Sequence, residues 1–184
     1  MPADSLSEPW RSFLLDLDDE LKGPTEVHCF GGFVVAEHYG LVRPTADIDI
    51  IAATGAADLK TLAALAGKGS ALAKQHQVYL DIVTVATVPE NYEQRLIDIF
   101  PEMFDNLTLK AFERHDLVLA KLTRNGDRDR EDVRRLAAGP GLDASILKKR
   151  YEKELRFQVS NPGRDDLTLA LWIEMINEVK ARRK

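Results

Sequence analysis

The sequence predicts an α+β fold, a small mixed β-sheet with flanking helices followed by a helical C-terminal module. Three observations predict it. An amphipathic helix precedes the first strand, short β-branched runs then alternate with helical stretches, and beyond about residue 110 only helical periodicity is found. The expected division is an α+β domain over residues 1–110 and a helical module over residues 111–184.

Residues 9–22 place Trp10, Phe13, Leu14, Leu17 and Leu21 at three- and four-residue spacings, and Gly23-Pro24 ends this helix. Residues 26–30 read as a short strand that turns on Gly31-Gly32 into a two-turn helix over residues 33–39, stopped by Gly40. Residues 46–52 (ADIDIIA) alternate polar and apolar positions, the pattern of a strand. Residues 56–73 read as helix, interrupted around Gly67 and Gly69, and residues 78–85 (VYLDIVTV) as a fully buried strand. Past Pro89, residues 92–100 suggest a helical turn leading to a strand, and residues 107–109 an edge strand. Helices are expected over 111–124, 128–138, 144–157 and 167–183, with breaks at Asn125-Gly126-Asp127 and Gly139-Pro140-Gly141.

With 184 residues, 45% hydrophobic and 30% charged, the chain is long enough to bury a core without disulfides or a structural metal. The lone Cys29 fits a reducing compartment, and no apolar run approaches the roughly 20 residues of a membrane span. The amino terminus carries Asp4 and Glu8 where a signal peptide would be positive, so a cytoplasmic location without membrane association is expected. A net charge of −5 excludes a protein that coats nucleic acid through a broad basic face. The charge is uneven: residues 1–92 hold 6 Lys/Arg against 13 Asp/Glu, and residues 93–184 hold 19 against 17.

The acidic half contains the chemistry. Residues two apart on a strand share a face, so Asp47 and Asp49 hold their carboxylates about 7 Å apart while Ile48 and Ile50 face the core. A bound cation removes the repulsion between them. Asp81, between Leu80 and Ile82, is costly to bury ionised unless it is paired or binds metal. Should its strand lie beside that of Asp47 and Asp49, three carboxylates meet, and an oxygen-only set suits Mg²⁺ or Mn²⁺ rather than zinc. Gly31-Gly32, between a strand and a helix start, offers close backbone approach and free N–H groups to phosphate. Together these describe a nucleoside triphosphate held through its phosphates, with metal ions clamping an in-line attack on the α-phosphorus as pyrophosphate leaves.

Gly31-Gly32, Arg43, Thr45, Asp47-x-Asp49 and the later strand residue Asp81 resemble the nucleotidyltransferase superfamily that includes DNA polymerase beta and the CCA-adding enzymes. The closest resemblance is to the AbiEii-like nucleotidyl transferases, toxin halves of toxin–antitoxin pairs, and their uncharacterised relatives. It spans about residues 26–136 and extends to Asp116, Lys121, Arg124 and Arg128-Asp129-x-x-Asp132. Gly32 stands where many members have Ser, so a hydroxyl contact to phosphate is missing. The resemblance implies that Asp47, Asp49 and Asp81 bind metal and form the catalytic set, with Asp81 binding the metal nearer the acceptor and either lowering the pKa of its hydroxyl or accepting the proton from it. It implies nucleotide binding by Gly31, Gly32, Arg43, Thr45 and Lys121, with Arg43 and Lys121 neutralising phosphate charge and Thr45 ordering the turn before its strand. The expected activity is metal-dependent transfer from an NTP to a hydroxyl of RNA or protein, with an antitoxin as a further partner. The alternative is an inert nucleotidyltransferase-like subunit that binds a partner chain.

Plainer readings stand beside several of these residues. Lys121 on an apolar helix face also reads as a snorkelling or Asp-paired lysine. Asp127, Arg128, Asp129, Asp132 and Arg135 read first as a helix cap with ion pairs. His28, His38, His76 and His115 share no ligand spacing, and the basic residues of 148–156 and 180–184 read as solvated helix faces.

Overall fold

The computed structural model describes residues 6–41 and 44–182. The chain forms two compact units. One comprises the chain up to Thr84 together with Leu96–Phe112, and the other Val85–Arg95 together with the chain from Glu113 onward.

In the first unit, helix α1 (Trp10–Glu20) buries Trp10, Phe13, Leu14 and Leu17 as its periodicity requires. Strand β1 (Thr25–Phe30) runs into a short helix α2 (Gly31–Phe33), continued by a π turn over Val34–His38. The Phe33 ring packs edge-on against Trp10 at 5.1 Å. Then follow β2 (Asp47–Gly55), α3 (Leu59–Ala66), α4 (Ala71–His76) and β3 (Tyr79–Ile82). Asp58 caps α3 and Ser70 caps α4, and Gly67 separates the two helices because a Cβ there would strike the Ala63 carbonyl. Strands β4 (Ile97–Ile99) and β5 (Leu107–Ala111) complete a five-stranded sheet of order β3-β2-β1-β5-β4. The sheet is mixed: β1 is antiparallel to β2 and parallel to β5, β2 is parallel to β3, and β4 is antiparallel to β5.

One face of this sheet is core, with Val27, Cys29, Ile48, Ile50, Leu80 and Leu109 all buried. Asp18 of α1, itself 5% exposed, accepts backbone N–H bonds from Asp105 (2.9 Å), Asn106 (2.7 Å) and Leu107 (2.6 Å), which ties the start of β5 to the helix.

Two strands differ from their sequence patterns. The 78–85 run is not a fully buried strand: only Tyr79–Ile82 pairs, β3 is an edge, and Asp81 is exposed. The run leaves the sheet after Ile82, so Val85 lies outside the strand and is 88% exposed. Conversely, β5 is not an edge. It lies between β1 and β4, an order that depends on pairing distant in sequence.

The second unit contains α5 (Arg114–Leu122), α6 (Asp127–Ala138), α7 (Ala144–Arg150) with a π turn over Tyr151–Leu155, and α8 (Pro162–Ala181). The last helix begins five residues ahead of its expected start at 167, because Asn161 caps it and Pro162 fills a first-turn position. A charged network holds the unit together. Asp116, fully buried, accepts from Arg95 (2.8 and 3.1 Å) and Arg150 (3.0 Å), and Glu154 accepts from Arg95 at 2.7 Å. Arg150 also bonds Glu113, which pairs with Nδ1 of His115 at 2.7 Å. The Asp143 N–H donates to Nε2 of His115 at 2.9 Å, which selects the Nδ1–H form of that ring. Burial raises the Glu113 pKa, but the hydrogen bonds from His115 and Arg150 outweigh it and hold the carboxyl at about 2. Among the described residues no helix is long and apolar enough to cross a membrane.

Candidate active site

The alternation of β2 turns Ile48 and Ile50 into the core and Asp47 and Asp49 to the opposite face. Parallel pairing then sets Asp49 level with Asp81, and Asp47 level with Tyr79. Register partners on neighbouring strands are about 4.8 Å apart and share a face. The Thr45 hydroxyl donates to Oδ1 of Asp47 at 2.9 Å and to its carbonyl at 3.3 Å, so this side chain orients the carboxylate at the entry to β2.

At the other end of the cluster, Asp49 is the register partner of Phe30, the last residue of β1. Gly31 follows with φ +75°, and a Cβ on it would overlap the Oδ2 of Asp49. Glycine is required twice over here, by the left-handed backbone and by the carboxylate against its Cα. Gly31 and Gly32 are both buried at the start of the short helix. Cys29 beside them is fully buried, its thiol pushed up to about 12 by burial first and by the Asp49 charge last.

Tyr79 was not singled out by the sequence, although its position two residues before Asp81 puts it on the same face. Its phenol pKa is raised by burial and then by Asp47, Asp81, a hydrogen bond to Asp47, and Asp49. All three carboxylates thus act on one hydroxyl. Above the ring stands the ammonium of Lys68, 5.6 Å from the centroid. The Gly67-Lys68-Gly69 segment that carries it reads in the sequence only as a helix break.

The donor chemistry is oxygen alone. Among the described residues no group of three or more His, Cys, Asp or Glu side chains stands close enough to hold a metal ion. Asp49 and Asp81 offer a cross-strand pair, and Mg²⁺ takes one or two protein carboxylates while keeping waters and substrate phosphates.

Of the remaining sequence candidates, Arg43 lies outside the described residues. Lys121 belongs to the second unit, where it is 1% exposed and its Nζ bonds Asp132 at 2.8 Å with Asp129 at 3.6 Å. Its charge is taken up by these internal partners, the ion-paired reading of that residue. Asp129 also accepts from Arg124 (3.0 Å) and from the Gly126 N–H (3.1 Å), as a residue of the α6 cap. In the 148–156 cluster Arg150 serves the Asp116 network, Arg156 bonds Asp166 at 2.9 Å, and Lys148 approaches Glu152 at 3.9 Å.

Residues 13–180 match a protein family described as nucleotidyltransferase of unknown function (DUF6036). No curated protein and no solved structure matches the chain.

Proposed function

The chain belongs to this nucleotidyltransferase family, and from that premise we propose that it transfers a nucleotidyl group from an NTP to a hydroxyl of RNA or protein, with Mg²⁺ or Mn²⁺. The observation that carries the reading is the position of Asp49, level with Asp81 on the next strand and pressed against Gly31 at the helix start. Carboxylates for a metal and backbone N–H groups for phosphate thereby adjoin through one side chain.

In the proposed reaction the backbone of Gly31 and Gly32 approaches the triphosphate, where no Cβ intervenes and the first helical N–H groups lack intrahelical acceptors. The cross-strand pair Asp49 and Asp81, joined by Asp47 from the entry to β2, would hold the metal, which would neutralise phosphate charge when bound. Thr45 keeps Asp47 in its rotamer. Asp81, exposed on the edge strand, accepts the proton of the acceptor hydroxyl. The new bond joins that oxygen to the α-phosphorus, the bond from the α-phosphorus to the bridging oxygen breaks, and pyrophosphate departs with the electron pair. Lys121 has no part in this scheme.

A cytoplasmic location and a toxin role in the manner of AbiEii-like transferases, silenced by an antitoxin, belong to the same proposal. Co-expression with the product of a neighbouring gene, against growth arrest by the chain alone, tests the toxin role. Calorimetric titration with Mg-NTP tests the site: binding that vanishes in Asp47→Ala supports it, and equal binding by the variant overturns it. Labelled NTPs incubated with total RNA and total protein then separate a working transferase from an inert partner-binding subunit.

A further inference from the structure

The carboxylate cluster has two sides within the sheet. On one side lies β1 with the Gly31-Gly32 turn, and on the other the edge strand β3. Beyond β3 the chain adds one more backbone segment, because Gly67 forms an isolated parallel bridge with Leu80. That register brings Lys68 level with Asp81. Glycine is needed at 67 because a Cβ there would strike the Ala63 carbonyl at the end of α3. Lys68 is exposed, and its ammonium rests over the Tyr79 ring instead of forming an ion pair among the described residues, although Tyr79 lies in the field of all three carboxylates. A cation in this position is braced and still available.

In-line displacement assigns the two sides different tasks, because the attacking oxygen and the leaving pyrophosphate stand on opposite sides of the phosphorus. With the triphosphate at Gly31-Gly32, pyrophosphate leaves toward β1 and the acceptor enters from β3, where Lys68 is. An acceptor hydroxyl at the end of a nucleic-acid strand brings a backbone phosphate with it, whereas a protein hydroxyl brings no fixed anion. A polyanion approaching three carboxylates needs a cation on its own side. Resting on the nucleotidyl-transfer reading, we infer that Lys68, held by the Tyr79 ring, contacts a backbone phosphate of an incoming strand, so that the acceptor is the end of a nucleic acid, and RNA is the form to test.

The experiment uses the full chain, Mg²⁺ and a short single-stranded RNA carrying a 5′ fluorophore and a free 3′ hydroxyl, with affinity read by anisotropy across a salt series. Lys68→Ala is expected to weaken binding several-fold and to reduce the slope of log affinity against log salt by about 0.7, the loss of one single-strand phosphate contact. Lys68→Arg restores both, and calorimetric Mg-NTP binding is the same in all three proteins. An RNA affinity and salt slope indifferent to Lys68→Ala, with NTP binding intact, overturns this inference and leaves nucleotidyl transfer standing. So does a wild-type protein that labels protein and binds no RNA. Failure of the wild type to bind Mg-NTP overturns both readings together.

Discussion

The Oδ2 of Asp49 occupies the space that a Cβ on Gly31 would fill, at a backbone φ of +75°. Gly31→Ala therefore forces the carboxylate away while straining the main chain. The expected cost is about 1–3 kcal/mol of stability. Mg-NTP binding is lost with it, and thermal melting and calorimetry on one preparation read the two effects.

Removing charge from the same face has the opposite effect on stability. Asp49 and Asp81 are like charges at register positions of neighbouring strands, a destabilising arrangement. Asp81→Asn is expected to leave the stability read by thermal melting unchanged or slightly raised, by no more than about 1 kcal/mol. Nucleotidyl transfer should fall by about 10²-fold or more as the general base is lost. A variant that labels acceptor as fast as wild type removes Asp81 from the mechanism.

Asp18 satisfies three backbone N–H groups at the start of β5. Asp18→Ala leaves them without this acceptor, at an expected cost of about 2–4 kcal/mol. Urea unfolding measures it. A loss below about 0.5 kcal/mol, the range of ordinary surface substitutions, would show that water replaces the carboxylate freely.

The buried pair Lys121–Asp132 predicts an asymmetry. Asp132→Ala leaves the buried ammonium with only the longer contact to Asp129 and should cost about 3–5 kcal/mol, while the double change Lys121→Met with Asp132→Leu should be close to neutral. Mg-NTP binding by the double variant should match wild type, and its loss would return Lys121 to the nucleotide site.

The Glu113 carboxyl titrates at about 2 in the folded chain against an ordinary 4.5. A depressed carboxylate contributes stability that is complete above its unfolded pKa and is lost as pH falls toward the folded one. For Glu113 this is roughly 3 kcal/mol, declining below about pH 4.5. Urea midpoints measured from pH 6 down to 3 should fall more steeply for wild type than for Glu113→Gln, and parallel curves would contradict the assignment.

The residues of the carboxylate face are readable from the chain because they obey a local rule. A two-residue period separates Asp47 and Asp49 from Ile48 and Ile50, and a strand-to-helix turn marks Gly31. The order of strands is not local. Nothing in residues 78–85 distinguishes an edge from an interior strand, so Asp81 reads as buried and proves exposed. Residues 107–109 read as an edge and lie inside the sheet. Lys121 has the same sequence signal whether it faces phosphate or Asp132, and only the packing of α5 and α6 decides. Lys68 is legible merely as the residue between two glycines, since its relation to Tyr79 depends on the bridge between Gly67 and Leu80.

The segment Val85–Arg95 leaves the sheet unit and joins the helical one before the chain returns at Leu96. Three covalent crossings therefore connect the units, and no single cut releases either intact. A fragment starting at Glu113 would carry Asp116 and Glu154 without the guanidinium of Arg95. The helical half is thus unsuited to being borrowed, fused or lost as a cassette, and viable recombination between relatives must keep residues 85–95 and the C-terminal helices from the same parent.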